Sequence, residues 1–210
     1  MEELSGLFRL EEKHVVPAAK VLMRAFHNEP LKVYLFPSEK IRDQMAVDFF
    51  EFMLRYVILF GEAYATSPNL EGVALWLPSE YARMAPELTA RAGFEQLKAK
   101  VGDEIIARGR ALYEVVDNKH AQHASFRHWY LPFIGVDPDF QGKGFAGKLL
   151  KPMLSRFKRE NIPCYLETEI EKNVDIYTHY GFKLLEKFFV LDTGVYFYSM
   201  LNRSKLADEQ

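Results

Sequence analysis

Apolar and polar positions along this chain change period from block to block, and each block predicts one element. Residues 7–10 read as a short first strand. Residues 18–26 have helical spacing, with Val21, Leu22, Ala25 and Phe26 on one side. Residues 41–60 form a second helix, rich in rings. Residues 63–66 and 72–77 read as two strands around the turn Ser67-Pro68-Asn69. Residues 87–115 return to helical spacing with good helix formers. A strand (127–136), a helix (144–158), a strand (163–168) and a short helix (174–180) then follow in close order. The last two strands, 182–191 and 195–201, are joined at Asp192-Thr193-Gly194, a sequence suited to a hairpin. A strand–helix–strand unit requires parallel pairing, whereas a hairpin requires antiparallel pairing, so the sheet is expected to be mixed.

Composition narrows the classes. At 210 residues, with no repeat, low-complexity tract or linker, the chain is expected to be one domain spanning 1–210. A formal net charge of −2 argues against a nucleic-acid partner. The most apolar stretch, 45–60, is interrupted by Asp48, Glu51 and Arg55, so no membrane span is expected. Residues 1–14 lack a basic region ahead of an apolar core and do not read as a signal peptide. The lone Cys164 excludes an intramolecular disulfide, is expected to be buried, and suits a reducing compartment; the cytoplasm is the expected location. His120, His123 and His128 cluster, but nothing completes a ligand set at usual spacings, so no metal is expected.

The informative segment is residues 136–148. Gly142, Gly144 and Gly147 fit the dinucleotide pattern G-x-G-x-x-G, but residues 137–141 separate the first glycine from the strand. About 60 residues follow, too few for the second half of a doubly wound domain. Residues 142–148 also fit the start of a P-loop, yet Leu149 stands where a hydroxyl must hold magnesium. Gln141, Gly144 and Ala146 fit the third pattern, Q/R-x-x-G-x-G/A, a coenzyme A loop. All three rest on one physics: glycines let backbone amides approach phosphate, and the next helix presents its N-terminus to the anion.

Residues 128–136, followed by Pro138, Gln141, Gly144 and Ala146, resemble the central motif of the GNAT N-acetyltransferase superfamily. Asn173 with Tyr177-Thr-His-Tyr-Gly181-Phe182 resembles that family's second block, N-x-x-x-Y-x-x-x-G-F. The resemblance covers about 55 residues well and implies an α/β fold: a mixed, mostly antiparallel sheet flanked by helices, with central parallel strands splayed apart. It implies a cofactor core at 127–191 and a helical insert at about 79–126. It implies acetyl-CoA as co-substrate, bound by Ile134, Gly135 and Val136 on the strand, by Gln141, Gly142, Lys143, Gly144, Phe145 and Ala146 in the loop, and by Asn173 and Tyr177. Lys148 is a further candidate for charge near the pyrophosphate. Pro132 is consistent with a break in strand pairing or with an edge position, and Pro152 with a kink in the following helix.

The implied reaction is N-acetyl transfer to a primary amine of a small-molecule or peptide acceptor, by direct attack in a ternary complex. Tyr177 is the candidate general acid for the departing thiolate. Glu167 and Glu169, two apart on one strand face, are candidates for the base, with Glu167 preferred; His123 is a lesser one. Asn173 is also a candidate N-cap for its helix. The rings Phe49, Phe50, Phe52 and Tyr56 belong either to the core or to an acceptor pocket. A non-catalytic acyl-CoA-binding sensor or interaction module on the same fold is the alternative, transfer of a longer acyl group is another, and a homodimer is compatible with the sequence. If Gly144 brings backbone to phosphate, Gly144→Val abolishes acetyl-CoA binding while circular dichroism stays native; retained affinity would refute the loop assignment.

Overall fold

In the computed structural model, which describes residues 4, 6–191 and 193–203, the expected alternation becomes a mixed sheet with helices on both faces. In chain order the elements are β1 (Phe8–Arg9), α1 (Val15–Ala25), α2 (Pro30–Leu35), α3 (Glu39–Phe60), β2 (Glu62–Ala65) and β3 (Gly72–Pro78). There follow α4 (Ser79–Ala82), α5 (Pro86–Arg91), α6 (Phe94–Val101), α7 (Asp103–His123) and β4 (Trp129–Val136). The chain continues with α8 (Phe145–Glu160), β5 (Cys164–Thr168), α9 (Glu171–His179), β6 (Lys183–Val190) and β7 (Val195–Asn202). The strands lie in the order β1-β2-β3-β4-β5-β7-β6, and only β4 and β5 pair in parallel. This is the mixed, mostly antiparallel sheet expected from the sequence.

Two local expectations change. The segment expected as one helix at 87–115 is divided into α5, α6 and α7. Gly93 (φ +93°) and Gly102 (φ +87°) take the left-handed region and end each helical run. Residues 30–35, not assigned from the sequence, form α2, with Pro30 in its first turn. Asp192 of the expected hairpin lies outside the described residues. Helix α8 runs through Pro152 from Phe145 to Glu160. No helix among the described residues is long and apolar enough to cross a membrane.

Two hydrophobic clusters sit on opposite faces. On one, Val15, Ala18, Ala19 and Leu22 of α1 and Phe50, Leu54 and Val57 of α3 pack under Val73, Leu75 and Leu77 of β3. On the other, Leu149, Leu150, Met153 and Phe157 of α8 pack with Trp76, Trp129, Leu166 and Met200. Cys164 lies in this second cluster, buried as expected.

The approach of α1 to β4 is close enough to require a glycine. A Cβ on Gly135 would stand 2.8 Å from the Ala25 Cβ and 3.1 Å from a Leu22 methyl. Gly135→Ala is expected to destabilise the fold by about 1–3 kcal/mol through overpacking, read as a lower urea midpoint at unchanged m-value.

Candidate active site

The ladder between β4 and β5 is short. Trp129 pairs with Cys164 and Tyr130 with Tyr165, and the parallel pairing ends there. Tyr130 has Leu77 as its partner on β3 and Phe133 has Leu75, so Leu131 and Pro132 together face Trp76. That is a bulge in β4, and it contains the proline, which has no N–H to give to a ladder. Beyond it β4 keeps its pairing to β3 as far as Val136, while β5 stays with β7 as far as Thr168. The two arms, 131–136 and 166–168, therefore part into a fork with free backbone on the inner side of each.

One arm of the fork leads into a glycine loop at the start of a helix. After Val136 the chain makes a 3-10 turn at Pro138–Phe140 and enters α8 through Gly144, whose φ is +82°. The buried Asp137 carboxylate anchors this turn: it accepts from the Asp139 N–H at 3.2 Å and from Arg24 Nε at 2.8 Å. Gln141 Nε2 donates to the Val136 carbonyl at 3.1 Å. The consecutive amides of residues 142–147 donate to no protein acceptor among the described residues. A Cβ on Gly144 would meet nothing within 4 Å, so its backbone angle, not crowding, calls for glycine. Free amides at the start of a helix suit a phosphate, and the loop fits the pyrophosphate of coenzyme A on that ground. Lys143 is folded back, its Nζ donating to the Asp139 carbonyl at 2.9 Å, and Lys148 is exposed.

The face of the fork covered by α1, α2 and α7 carries the titratable groups. The Glu167 side chain is only 4% exposed, and neither of its carboxylate oxygens reaches a hydrogen-bond partner. Burial pushes its carboxyl up to about 8, against the opposing pull of the Tyr165 and Tyr130 hydroxyls. Burial likewise raises Glu169 and Glu29, and Asp117 of α7 up to about 6. Lys32 of α2 is buried with Nζ unpartnered, and burial draws it down to about 8. Tyr177 of α9 stands on the opposite face, with Leu166 and Phe182. Burial raises its phenol, then the charges of Glu29 and Glu169 raise it further, so it stays protonated near neutrality.

Behind Glu167 lies a histidine pair with assigned tautomers. His128 Nδ1 is 2.7 Å from the Phe126 carbonyl, which only accepts, so Nδ1 carries the proton. His128 Nε2 is then an acceptor for the Nε2–H of His120, 2.7 Å away. That leaves His120 Nδ1 bare, 3.9 Å from Glu167 Oε1. The His120 ring stacks on Tyr165 at 4.2 Å between centroids. Burial, and then His128, push the His120 imidazole down to about 3.

Residues 62–182 match the Acetyltransferase (GNAT) family. The chain belongs to that family. An uncharacterized N-acetyltransferase of Schizosaccharomyces pombe is 30% identical over 182 residues, covering 83% of this chain and 72% of its own. The crystal structure of histone acetyltransferase HPA2 and related acetyltransferase from Corynebacterium glutamicum superposes with a TM-score of 0.65 at 19% identity. It covers 94% of this chain and 95% of that one. A polyamine N-acetyltransferase of Drosophila melanogaster shares the fold with a TM-score of 0.59 at 12% identity, over 94% and 98% of the two chains. The GNAT acetyltransferase is thus a transferase of the acetyl-CoA-using class.

In this GNAT acetyltransferase, Ile134, Gly135 and Val136 lie on the β4 arm, and Gln141, Gly142, Lys143, Gly144, Phe145 and Ala146 form the loop and helix start at its end. Asn173 is not the N-cap of α9, which is Ile170. Its side chain instead donates to Thr168 Oγ1 at 3.2 Å, tying α9 to the end of the β5 arm. His123 Nε2 lies 2.7 Å from the Glu186 carboxylate of β6 rather than against Glu167. Phe50, Phe52 and Tyr56 are core, while Phe49 and Phe50 also meet Phe133 of the β4 arm. Glu29, Lys32, Tyr130, His120 and Asp117 were not singled out as site residues from the sequence. Lys32 alone carried a signal there, a charge inside the apolar run 31–36.

His120 gives the site a pH signature. It is neutral when folded but has an ordinary affinity near 6.5 when unfolded, so its stabilising effect is complete above pH 6.5 and is lost as pH falls toward 3. Urea denaturation of His120→Gln between pH 6.5 and 4 should show a stability slope shallower by up to about 1.4 kcal/mol per pH unit.

Proposed function

We propose that this GNAT acetyltransferase moves the acetyl group of acetyl-CoA onto a primary amine of a small-molecule acceptor, by direct attack in a ternary complex. The observation that carries this reading is the placement of Glu167 and Tyr177 on opposite faces of one fork. Glu167 is buried and unpartnered on the face lined by carboxylates; Tyr177 is on the face that leads to the free amides. A protonated amine entering from the α1, α2 and α7 face meets Glu29, Glu169 and Glu167. Glu167 takes the proton, directly or through water, and a free N–H on the β4 arm polarises the acyl carbonyl; one such donor is typically worth about 2.7–4 kcal/mol of barrier. Tyr177 gives its proton to the departing sulfur.

Amides 142–147 hold the pyrophosphate in this reading, and Asn173 keeps α9, and with it Tyr177, against the β5 arm. The Drosophila enzyme with this fold forms N-acetylagmatine, and the carboxylate-lined face here supports a small cationic amine as acceptor too. The lone buried Cys164 supports a reducing compartment, the cytoplasm.

Release of coenzyme A thiol, followed across a panel of amines, tests the assignments. Tyr177→Phe should lower kcat by about 10²–10⁴-fold with acetyl-CoA affinity near wild type; unchanged turnover would remove Tyr177 from the mechanism. Because Glu167 must be ionised to act as base and its affinity lies at about 8, kcat/KM should rise as pH rises through about 8. Glu167→Gln should abolish that rise, and a variant with the wild-type profile would exclude Glu167 as the base.

A further inference from the structure

Lys32 is 2% exposed, yet its Nζ has no hydrogen-bond partner. Four phenylalanine rings surround it instead: Phe49 at 4.4 Å, Phe50 at 4.7 Å, Phe133 at 5.5 Å and Phe26 at 5.9 Å from their centroids. Rings stabilise an ammonium, but a buried cation without a hydrogen-bonded counter-ion is costly, and such groups call for an explanation. Its position supplies one. Phe133 belongs to the β4 arm of the fork. The carboxylates whose charge reaches Lys32 are Glu169, just past the end of the β5 arm, and Glu29, in the turn before α2. Nζ therefore lies inside the fold beside the Phe133 side chain of the β4 arm, and it feels the charge of Glu169, just past the end of the β5 arm.

We propose that Lys32 is itself an acceptor, and that the protein transfers one acetyl group from acetyl-CoA to its own Lys32 Nζ. The inference rests on the function proposed above. The Nζ lone pair forms a C–N bond to the thioester carbonyl carbon, and the C–S bond breaks. Glu169 takes the proton lost by nitrogen, and Tyr177 gives its own proton to sulfur, so coenzyme A leaves as the thiol. Tyr177 is then reprotonated through Glu169, and the sum is one amide and one thiol from one amine and one thioester. Burial holds Lys32 near 8, so about a tenth of it is free amine at pH 7, far more than for an exposed lysine, as attack requires. Tethering on α2 makes the reaction intramolecular, which favours Lys32 over any lysine arriving from solution. The product amide is neutral and permanent under these conditions. It removes the cation that supports the ionised forms of Glu29 and Glu169 and adds bulk beside Phe133 of the β4 arm, so modified protein should turn over external amines more slowly.

The test is incubation of the full chain with acetyl-CoA and no amine, followed by intact mass and peptide mapping, with thermal unfolding in acetyl-CoA measured in parallel. The expected result is one acetyl group on Lys32, added at a rate independent of protein concentration and at least about tenfold faster than at any exposed lysine. Lys32→Arg, which keeps a cation among the rings, should lose that modification. A raised Tm with Lys32 unmodified, or modified no faster than exposed lysines, overturns the proposal while leaving the proposed function standing. No rise in Tm with acetyl-CoA overturns both. The wild-type protein carries the decisive reading, so the result does not depend on how well Lys32→Arg folds.

Discussion

Everything in this site depends on two strands that stop pairing. β4 and β5 are neighbours for two residue pairs only, and from Leu131 and Leu166 onward their facing backbone groups have no partner in each other. Interior backbone left unpaired is expensive, so the fork must be held open by what lies outside it. β3 holds one arm as far as Val136 and β7 the other as far as Thr168. Helix α1 lies directly against Gly135. At the closed end, the rings of His120, Tyr130 and Tyr165 pack with centroids 4.2–6.2 Å apart. Pro132 in the bulge makes the break part of the sequence rather than an accident of packing.

The fork also divides the electrostatics. Toward α8 lie free amides and the positive end of a helix, an arrangement suited to an anion, and the buried Asp137 at that turn is paired with Arg24. Toward α2 and α7, Glu29, Asp117, Glu167 and Glu169 are partly buried, and desolvation raises every one of them; the charges of Glu29 and Glu169 also reach Lys32. Groups with displaced proton affinities on either side of one opening are what acid–base chemistry requires. The His120–His128 pair adds a neutral acceptor nitrogen behind Glu167, set in orientation by the Phe126 carbonyl.

The order of strands and the glycine loop were legible because they depend on local rules. A strand–helix–strand unit must be parallel, and Gly144 reports a backbone that turns through positive φ into α8 and leaves its amides free. The placement of Tyr177 and Glu167 beside the fork was legible through motif and strand periodicity. Glu29 and Lys32 were not, because α2 is a six-residue helix whose burial comes from α3 and α7 packing over it, a tertiary fact. The pairing of His120 with His128 was equally hidden: the two are eight residues apart, and only the turn after α7 brings their rings together. His123, closer to His128 in sequence, faces β6. The division of residues 87–115 into three helices depends on Gly93 and Gly102 taking positive φ, which apolar spacing does not report.

Calorimetric titration of the purified protein with acetyl-CoA, with NADH and ATP–magnesium as controls, tests the fork and its loop most directly. Micromolar binding of acetyl-CoA, with neither control binding comparably, is the expected result. Absence of binding, or equal affinity for the controls, would contradict the assignment of residues 141–146 and of the opening between β4 and β5 as an acetyl-CoA site.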